Sequence, residues 1–119
     1  MADAAEQVVN LPQAAADLLA GARASSSGRA GRTLVPGAGA ALKQTLMALV
    51  AGQSLADHDS PGAATLQVLM GSVRLTDGGT RLELHPGDHA AIPPVRHGLD
   101  AVEDAVVLIS VAQGGETPA

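Results

Sequence analysis

Apolar residues near the start of the chain recur at the spacing of a helix. They stand three or four positions apart, which places them on one helical face: Leu11, Ala14, Ala15, Leu18, Leu19 and Ala22. Asn10 can cap this helix, and Pro12 is tolerated in its first turn. Gly21 and the run Ser25-Ser26-Ser27-Gly28 indicate its end. We predict one short helix that docks on an open end or face of the domain, with a regulatory or partner-binding helix as the alternative.

From Arg29 onward the apolar positions follow a period of two, which is typical of β-strands. Glycine- and proline-containing turns separate the apolar segments, and Pro86-Gly87 has the order of a type II turn. The predicted strands are Arg32–Val35, Leu42–Val50, Ser54–Ala56, Thr65–Met70, Ser72–Thr76, Arg81–Leu84, His89–Ile92, Gly98–Ala101 and Ala105–Val111. Short strands at this spacing, without a long helix between them, favour a sandwich or a barrel.

Two of the predicted segments are apolar on both faces. Leu66–Met70 and Val106–Val111 lack the polar alternation that Val73/Leu75 and Leu82/Leu84 show. Such strands need a second covering surface, because one face of an antiparallel sheet is otherwise in water. In so small a domain a partner subunit can supply that surface, and we therefore predict a homodimer.

Composition narrows the class of function. The chain has 119 residues, 46% of them hydrophobic, and neither aromatic residues nor cysteine. Its core must therefore be aliphatic, and it has no aromatic platform on which bases could stack. A formal charge of −5 without a basic cluster argues against nucleic-acid binding. Disulfides and thiolate metal sites are excluded.

The distribution of apolar and charged residues predicts one domain and no targeting segment. The acidic start Met1-Ala2-Asp3-Ala4-Ala5-Glu6 does not resemble a signal peptide, and no apolar run has the ~20 residues of a membrane span. We expect a cytoplasmic protein that does not contact a membrane. The expected division is a helix and linker at 1–31, a barrel at 32–113 and a disordered tail at 114–119.

The histidines are the candidate residues for a functional site. The chain has four histidines, of which His85 and His89 flank the Pro86-Gly87-Asp88 turn, where surface roles are expected. His58 and His97 instead stand inside two glycine-anchored motifs. The first motif contains Gly52, His58 and Gly71, and the second contains Gly87, Asp88, Pro93 and His97.

These two motifs resemble those of the cupin superfamily. The first cupin motif runs from a glycine to two histidines one residue apart, then a glutamate, then a glycine. The second runs from Gly-Asp through a proline to a third histidine. The resemblance covers about Leu42 to Val111 and implies an all-β fold: a double-stranded β-helix, or cupin jelly-roll barrel, preceded here by one short N-terminal α-helix. Proteins of this superfamily are commonly dimeric, so the resemblance also implies a dimer, with a pocket in the barrel mouth.

The resemblance further implies a metal site, from which this sequence departs. Full cupin sites hold Fe, Mn, Ni or Zn through three imidazoles and one carboxylate. Here Ser60 stands at the second histidine position, and the glutamate position falls at Ala64 or Thr65. Two of the four expected ligands are therefore missing from their usual places.

His58 and His97 remain the candidate metal ligands. They form an incomplete set unless Asp57, Asp59 or His89 joins them, since two imidazoles alone bind a divalent ion weakly. One divalent ion, Fe, Mn, Ni or Zn, is the cofactor that this site would take. A pocket without a tightly bound metal is the favoured expectation.

We predict that a small molecule binds in the barrel mouth. The candidate ligand-binding residues are His58, His97, Ser60, Gln44 and Gln67. One alternative is a metal-dependent enzyme of the oxygenase, lyase or isomerase type; without metal, the two imidazoles would act as acid and base. Another is an effector-sensing or dimerisation module of a regulator, acting through a partner because the chain has no DNA-binding helix pair.

Overall fold

The computed structural model describes residues 8–35, 41–58, 63–92 and 97–112, with the backbone alone at 56–58. These ranges contain one helix and nine strands. They are α1 (Leu11–Ala24), β1 (Arg29–Val35), β2 (Leu42–Leu49), β3 (Ser54–His58), β4 (Ala64–Met70), β5 (Val73–Asp77), β6 (Thr80–Leu84), β7 (His89–Ala91), β8 (His97–Ala101) and β9 (Ala105–Ala112). Every predicted strand is present. β1 begins at Arg29, three residues earlier than predicted, and β3 continues to His58. The predicted tail at 114–119 lies outside the described residues.

The strands form two antiparallel sheets, as the predicted jelly roll requires. The five-stranded sheet has the order β1-β2-β9-β4-β7, and the four-stranded sheet has the order β3-β8-β5-β6. Neighbours in each sheet are mostly distant in sequence, so the chain crosses repeatedly between the sheets. The predicted all-β fold with one N-terminal helix is confirmed.

An aliphatic core fills the space between the two sheets. Along β4, Ala64, Leu66 and Val68 are buried, while Thr65 and Gln67 between them are only partly buried. This alternation gives β4 an inner face toward the core and an outer face away from it. The other buried members of the core are Leu49, Val73, Leu75, Leu84, Leu99, Ala101, Ala105 and Val107.

The helix α1 begins at its predicted cap. Asn10 accepts a hydrogen bond at its Oδ1 from the backbone N–H of Gln13, at 2.9 Å, which satisfies one of the free donors of the first turn. Gly21 does not end the helix, which continues to Ala24. One glycine weakens a helix by only about 1 kcal/mol, and packing can overcome that.

The buried face of α1 covers the outer face of the five-stranded sheet. Ala14, Ala15, Leu19 and Ala22 form a cluster there with Leu46, Ala48 and Val106. The helix of the same chain thus supplies part of the second covering surface that the apolar strands require, and the homodimer stays a prediction. Over the described ranges, no helix is both long and apolar enough to cross a membrane.

Asp104 connects the end of α1 to two loops of the barrel. Its Oδ2 accepts a hydrogen bond from Arg23 Nε and its Oδ1 accepts one from the backbone N–H of Ala51, each at 2.8 Å. The Ala51 bond, followed by the Arg23 bond, lowers the pKa of the Asp104 carboxyl from its ordinary value of 3.8. The ionised carboxylate therefore favours the docked helix.

Asp104→Asn is expected to lose a pH-dependent part of the stability. Because the folded state lowers the Asp104 pKa, this contribution is complete above 3.8 and is lost as the pH falls below that value. Urea unfolding followed by circular dichroism, from about pH 7 to about pH 3, should show the gap between wild type and variant narrowing under acid conditions. A gap that stays constant over this range would contradict the assignment.

Candidate functional site

A small cavity lies inside the barrel, between the two sheets. Its volume is about 70 Å³, and its described wall consists of Leu55, Ala64, Leu66, Leu75, Ile92, His97, Leu99, Ile109 and Val111. An apolar cavity of roughly 150 Å³ can take a benzene molecule. This cavity is about half that size, so it suits a ligand of only a few heavy atoms. The described part of its wall is aliphatic except at His97.

His97 is held on the inner face by the alternation of β8. The buried Leu99 belongs to the core between the sheets, and His97, two residues earlier, lies on the same face. His97 is 5% exposed and lines the cavity. Among the described residues, the other buried polar side chain is Ser72, whose Oγ donates to Glu103 Oε1 at 2.8 Å. His97 is thus the buried polar residue that the cavity meets.

The backbone register brings His58 opposite His97. Leu55 pairs with Leu99 in the β3–β8 ladder, and the register then shifts so that His58 pairs with His97. Regular pairing would have placed Asp57 opposite His97, so β3 contains one extra residue at this point. Bulges of this kind re-aim the residues that follow them. The two predicted site histidines are therefore cross-strand neighbours.

Gln44 and Gln67 do not meet His97. Gln67 lies between the inner-facing Leu66 and Val68, so it belongs to the outer face of β4. Gln44 is on the same outer face, where its Nε2 donates a hydrogen bond to Ser110 Oγ at 3.1 Å. The structure places both glutamines on the side of the sheet away from the cavity.

The remaining candidates divide into exposed and undescribed residues. His85 and His89 are exposed, as expected for residues that flank a turn. His89 pairs with Gln67, which puts it on the outer face and away from His97. Ser60 and Asp59 lie outside the described residues.

Asp77 is a cross-strand neighbour of His97 that the sequence analysis did not identify. It pairs with His97 in the β5–β8 ladder, directly after the pairs Leu75–Leu99 and Thr76–Gly98. It shares the inner face with Leu75, because the two are two positions apart on one strand. The alternation of Val73 and Leu75 could have indicated this face, but only the ladder reveals that the opposite residue is His97.

Across the side chains that the structure describes, no group of three or more His, Cys, Asp or Glu residues is placed to hold a metal. His97 and Asp77 are among these side chains, and His58 is described by its backbone alone. The described side chains alone therefore do not complete a metal site.

No protein-family model and no curated protein matches the sequence. Solved structures do match. A conserved protein of unknown function from Streptococcus pyogenes is 28% identical over 77% of this chain and 80% of that one, with a TM-score of 0.68. A cupin-2 domain containing protein from Shewanella frigidimarina is 14% identical over 93% of this chain and 100% of that one, with a TM-score of 0.71.

A transcriptional regulator of the HTH_3 family from Vibrio cholerae is also similar. It is 25% identical over 76% of this chain, with a TM-score of 0.61, and the match covers 52% of the regulator. The match thus leaves about half of the regulator without a counterpart here. Taken with the two facing sheets and the paired histidines, these likenesses confirm the resemblance stated from the motifs. The chain has the fold of a small cupin domain, the jelly-roll barrel that the cupin-2 proteins share.

Proposed function

We propose that this chain binds a small molecule inside its barrel, with the polar end of the ligand at His97 and His58. The observation that supports this most is the form of the cavity, whose described wall is aliphatic except at His97. Binding sites typically combine an apolar wall with a few polar groups that fix the orientation of the ligand. The cavity of this barrel has that composition on a small scale.

Cavity size and wall chemistry define the class of ligand. A volume of about 70 Å³ admits a short apolar chain and excludes a ring system or a nucleotide. An imidazole N–H can donate a hydrogen bond to a carboxylate oxygen. Short-chain carboxylic acids such as acetate, propionate and butyrate satisfy both requirements. They are the probes with which the proposal is tested.

Ala64→Leu is expected to abolish binding of these acids. Ala64 lines the cavity and is 8% exposed, so a leucine there fills the space that the ligand would occupy. Isothermal titration calorimetry with propionate and butyrate should show at least a tenfold loss of affinity. His97→Leu should give a similar loss because it removes the polar end while keeping the site aliphatic.

Thr65→Val provides the matched control for Ala64→Leu. Thr65 is the next residue of β4 but lies on the outer face, so the substitution should leave the affinity unchanged. Circular dichroism would confirm that each variant is folded, since the chain has no aromatic residue for fluorescence. If Ala64→Leu and wild type bind the acids equally well, or if neither binds them, the proposal is wrong.

Effector sensing for a regulator is a second candidate function. It is supported by the likeness to the Vibrio cholerae regulator, which extends beyond the matched part by about half of its length. Ligand binding in the barrel would then be the signal, and a partner would provide the output. A homodimer, expected from the apolar outer face, would suit this role.

A further inference from the structure

We infer that Lys43, the single lysine of this sequence, recognises the carboxylate of a short-chain acid at the open end of the barrel cavity. This inference rests on the proposed function. It adds to that site a positive charge, which distinguishes an acid from a neutral molecule of the same shape. Lys43 lies outside both motifs by which the sequence resembles the cupins, and neither motif gives it a role.

Lys43 stands next to the cavity wall, on the inner side of the five-stranded sheet. Met47 and Leu49 of the same strand pack in the core between the sheets, and Lys43 follows their alternation without a break in register. Lys43 pairs with Val111, which lines the cavity and pairs on its other side with Ala64 of the same wall. Directly opposed residues of antiparallel strands have Cβ atoms roughly 4.5–5.5 Å apart. The stem of Lys43 therefore begins beside the wall residue Val111.

The row that contains Lys43 lies at the more open end of the cavity. Leu66 and Leu75 in the wall are 1% and 2% exposed, whereas Val111 and Ile92 are only partly buried. Lys43 is exposed and stands beside the described wall rather than within it. Its ammonium group is at the end of a flexible four-carbon stem. It can therefore meet the head group of a bound ligand at the rim while it stays in contact with water.

Among the described cationic side chains, Lys43 is the one that lies beside this end of the cavity. The described arginines lie on the outer faces of the sheets, opposite the far end of β2, or in the bond to Asp104. They are, in that order, Arg32, Arg74 and Arg81, then Arg29, then Arg23. Arg96 lies outside the described residues. Lys43 is therefore the described positive charge that a carboxylate in the cavity would meet.

An anionic ligand needs such a local charge. The chain has a formal charge of −5, so its overall field repels an acid. His97 lines the same cavity from the facing sheet, and it can donate a hydrogen bond to a carboxylate or to an amide oxygen alike. The ammonium of Lys43 adds a charge interaction that only the carboxylate receives. The inference therefore predicts that the site prefers propionate to propionamide, which has almost the same shape and no charge.

Lys43→Met tests the inference in the tag-free, full-length protein. Methionine keeps an unbranched side chain and removes the charge. Isothermal titration calorimetry at low salt should show a loss of about fivefold in the affinity for propionate, which is the upper range for an exposed ion pair. The affinity for propionamide should not change. Lys43→Arg keeps the charge and should retain the affinity of wild type for propionate.

Arg81→Met is the matched control. It removes the same charge from an exposed position on the outer face of the four-stranded sheet, opposite Thr76. The net charge of the two methionine variants is identical, so any effect of overall charge appears in both. Both affinities of Arg81→Met should equal those of wild type.

The single lysine also permits a direct measurement on the unmutated chain. Reductive methylation with ¹³C-formaldehyde labels Lys43 and the terminal amine, and the methylated lysine keeps its positive charge. Lys43→Arg lacks the lysine signal and so identifies it in the NMR spectrum. That signal should shift when propionate is added and stay in place when propionamide is added.

The outcomes separate this inference from the proposed function. If Lys43→Met binds propionate as tightly as wild type, or loses propionate and propionamide alike, the role of Lys43 is wrong and the small-molecule proposal stands. If wild type binds neither compound, the proposed function fails and the role of Lys43 fails with it. A loss confined to propionate, together with wild-type binding by Lys43→Arg and Arg81→Met, supports the inference.

Discussion

Gly71→Ala is expected to destabilise the protein by about 3–5 kcal/mol, one of the two largest effects predicted for a single substitution here. Gly71 has a φ of +69°, a conformation that costs an L-residue about 1–2 kcal/mol. In addition, a Cβ at this position would overlap the carbonyl oxygen of Asp104 and lie 2.9 Å from the Cα of Ala105. Both contacts are with backbone, so the alanine could be accommodated only by moving the chain between β8 and β9.

The segment between β8 and β9 is held in place by several hydrogen bonds. The carbonyl of Ser72 accepts hydrogen bonds from the backbone N–H groups of Val102 and Glu103, at 3.0 and 3.2 Å. Asp104 is itself bonded to Arg23 and Ala51. A shift that relieved the overlap would disturb these contacts, which is why the expected loss exceeds the cost of the backbone conformation alone.

Gly78→Ala distinguishes the cost of a positive φ from the cost of the close backbone contact, the two reasons for the expected loss of stability in Gly71→Ala. Gly78 has a similar φ of +61°, but nothing lies within 4 Å of the Cβ that an alanine would add. We expect it to cost only about 1–2 kcal/mol. Urea unfolding followed by circular dichroism gives both values. Equal losses in the two variants would show that the close approach at Gly71 contributes nothing.

Gly71 also illustrates what the sequence can predict. The resemblance to the cupin motif marked Gly71 as the end of the first motif, and the period-two pattern located the strand before it. Neither pattern contains the reason for the glycine, which is the approach of Asp104 from a part of the chain distant in sequence. Local patterns predict elements well because alternation is a local property, whereas contacts between distant elements depend on the whole topology.

In the candidate site, too, local patterns predict some positions, and others depend on contacts between distant elements. Gln67 could have been assigned to the outer face from the sequence, because Leu66 and Val68 beside it are the apolar residues of β4. The pairing of His58 with His97 depends on an extra residue in β3, and no turn or glycine marks that position. The opposition of Asp77 and His97 depends on the order of strands in the sheet. Strand order is set by the packing of the whole domain.

Leu46→Ala is expected to destabilise the protein by about 2–5 kcal/mol, the usual cost of removing a fully buried leucine side chain. Leu46 is 0% exposed and lies on the outer face of β2, in the cluster that α1 covers. Its truncation leaves a cavity between the helix and the sheet. Closing that cavity would require α1 to move, and the bond between Arg23 and Asp104 resists such a movement. Urea unfolding followed by circular dichroism measures the loss.

Leu42→Ala is a closely matched control for Leu46→Ala. Leu42 is the same residue type on the same strand, four positions earlier and therefore on the same outer face. It is 45% exposed and lies outside the cluster beneath the helix, so its truncation should cost less than about 1 kcal/mol. The two variants remove the same side chain from the same face of the same strand. The difference between their losses in the free energy of unfolding therefore measures how much packing beneath α1 stabilises Leu46. Losses of similar size would mean that the helix does not protect Leu46 in solution, or that another surface covers Leu42 as well.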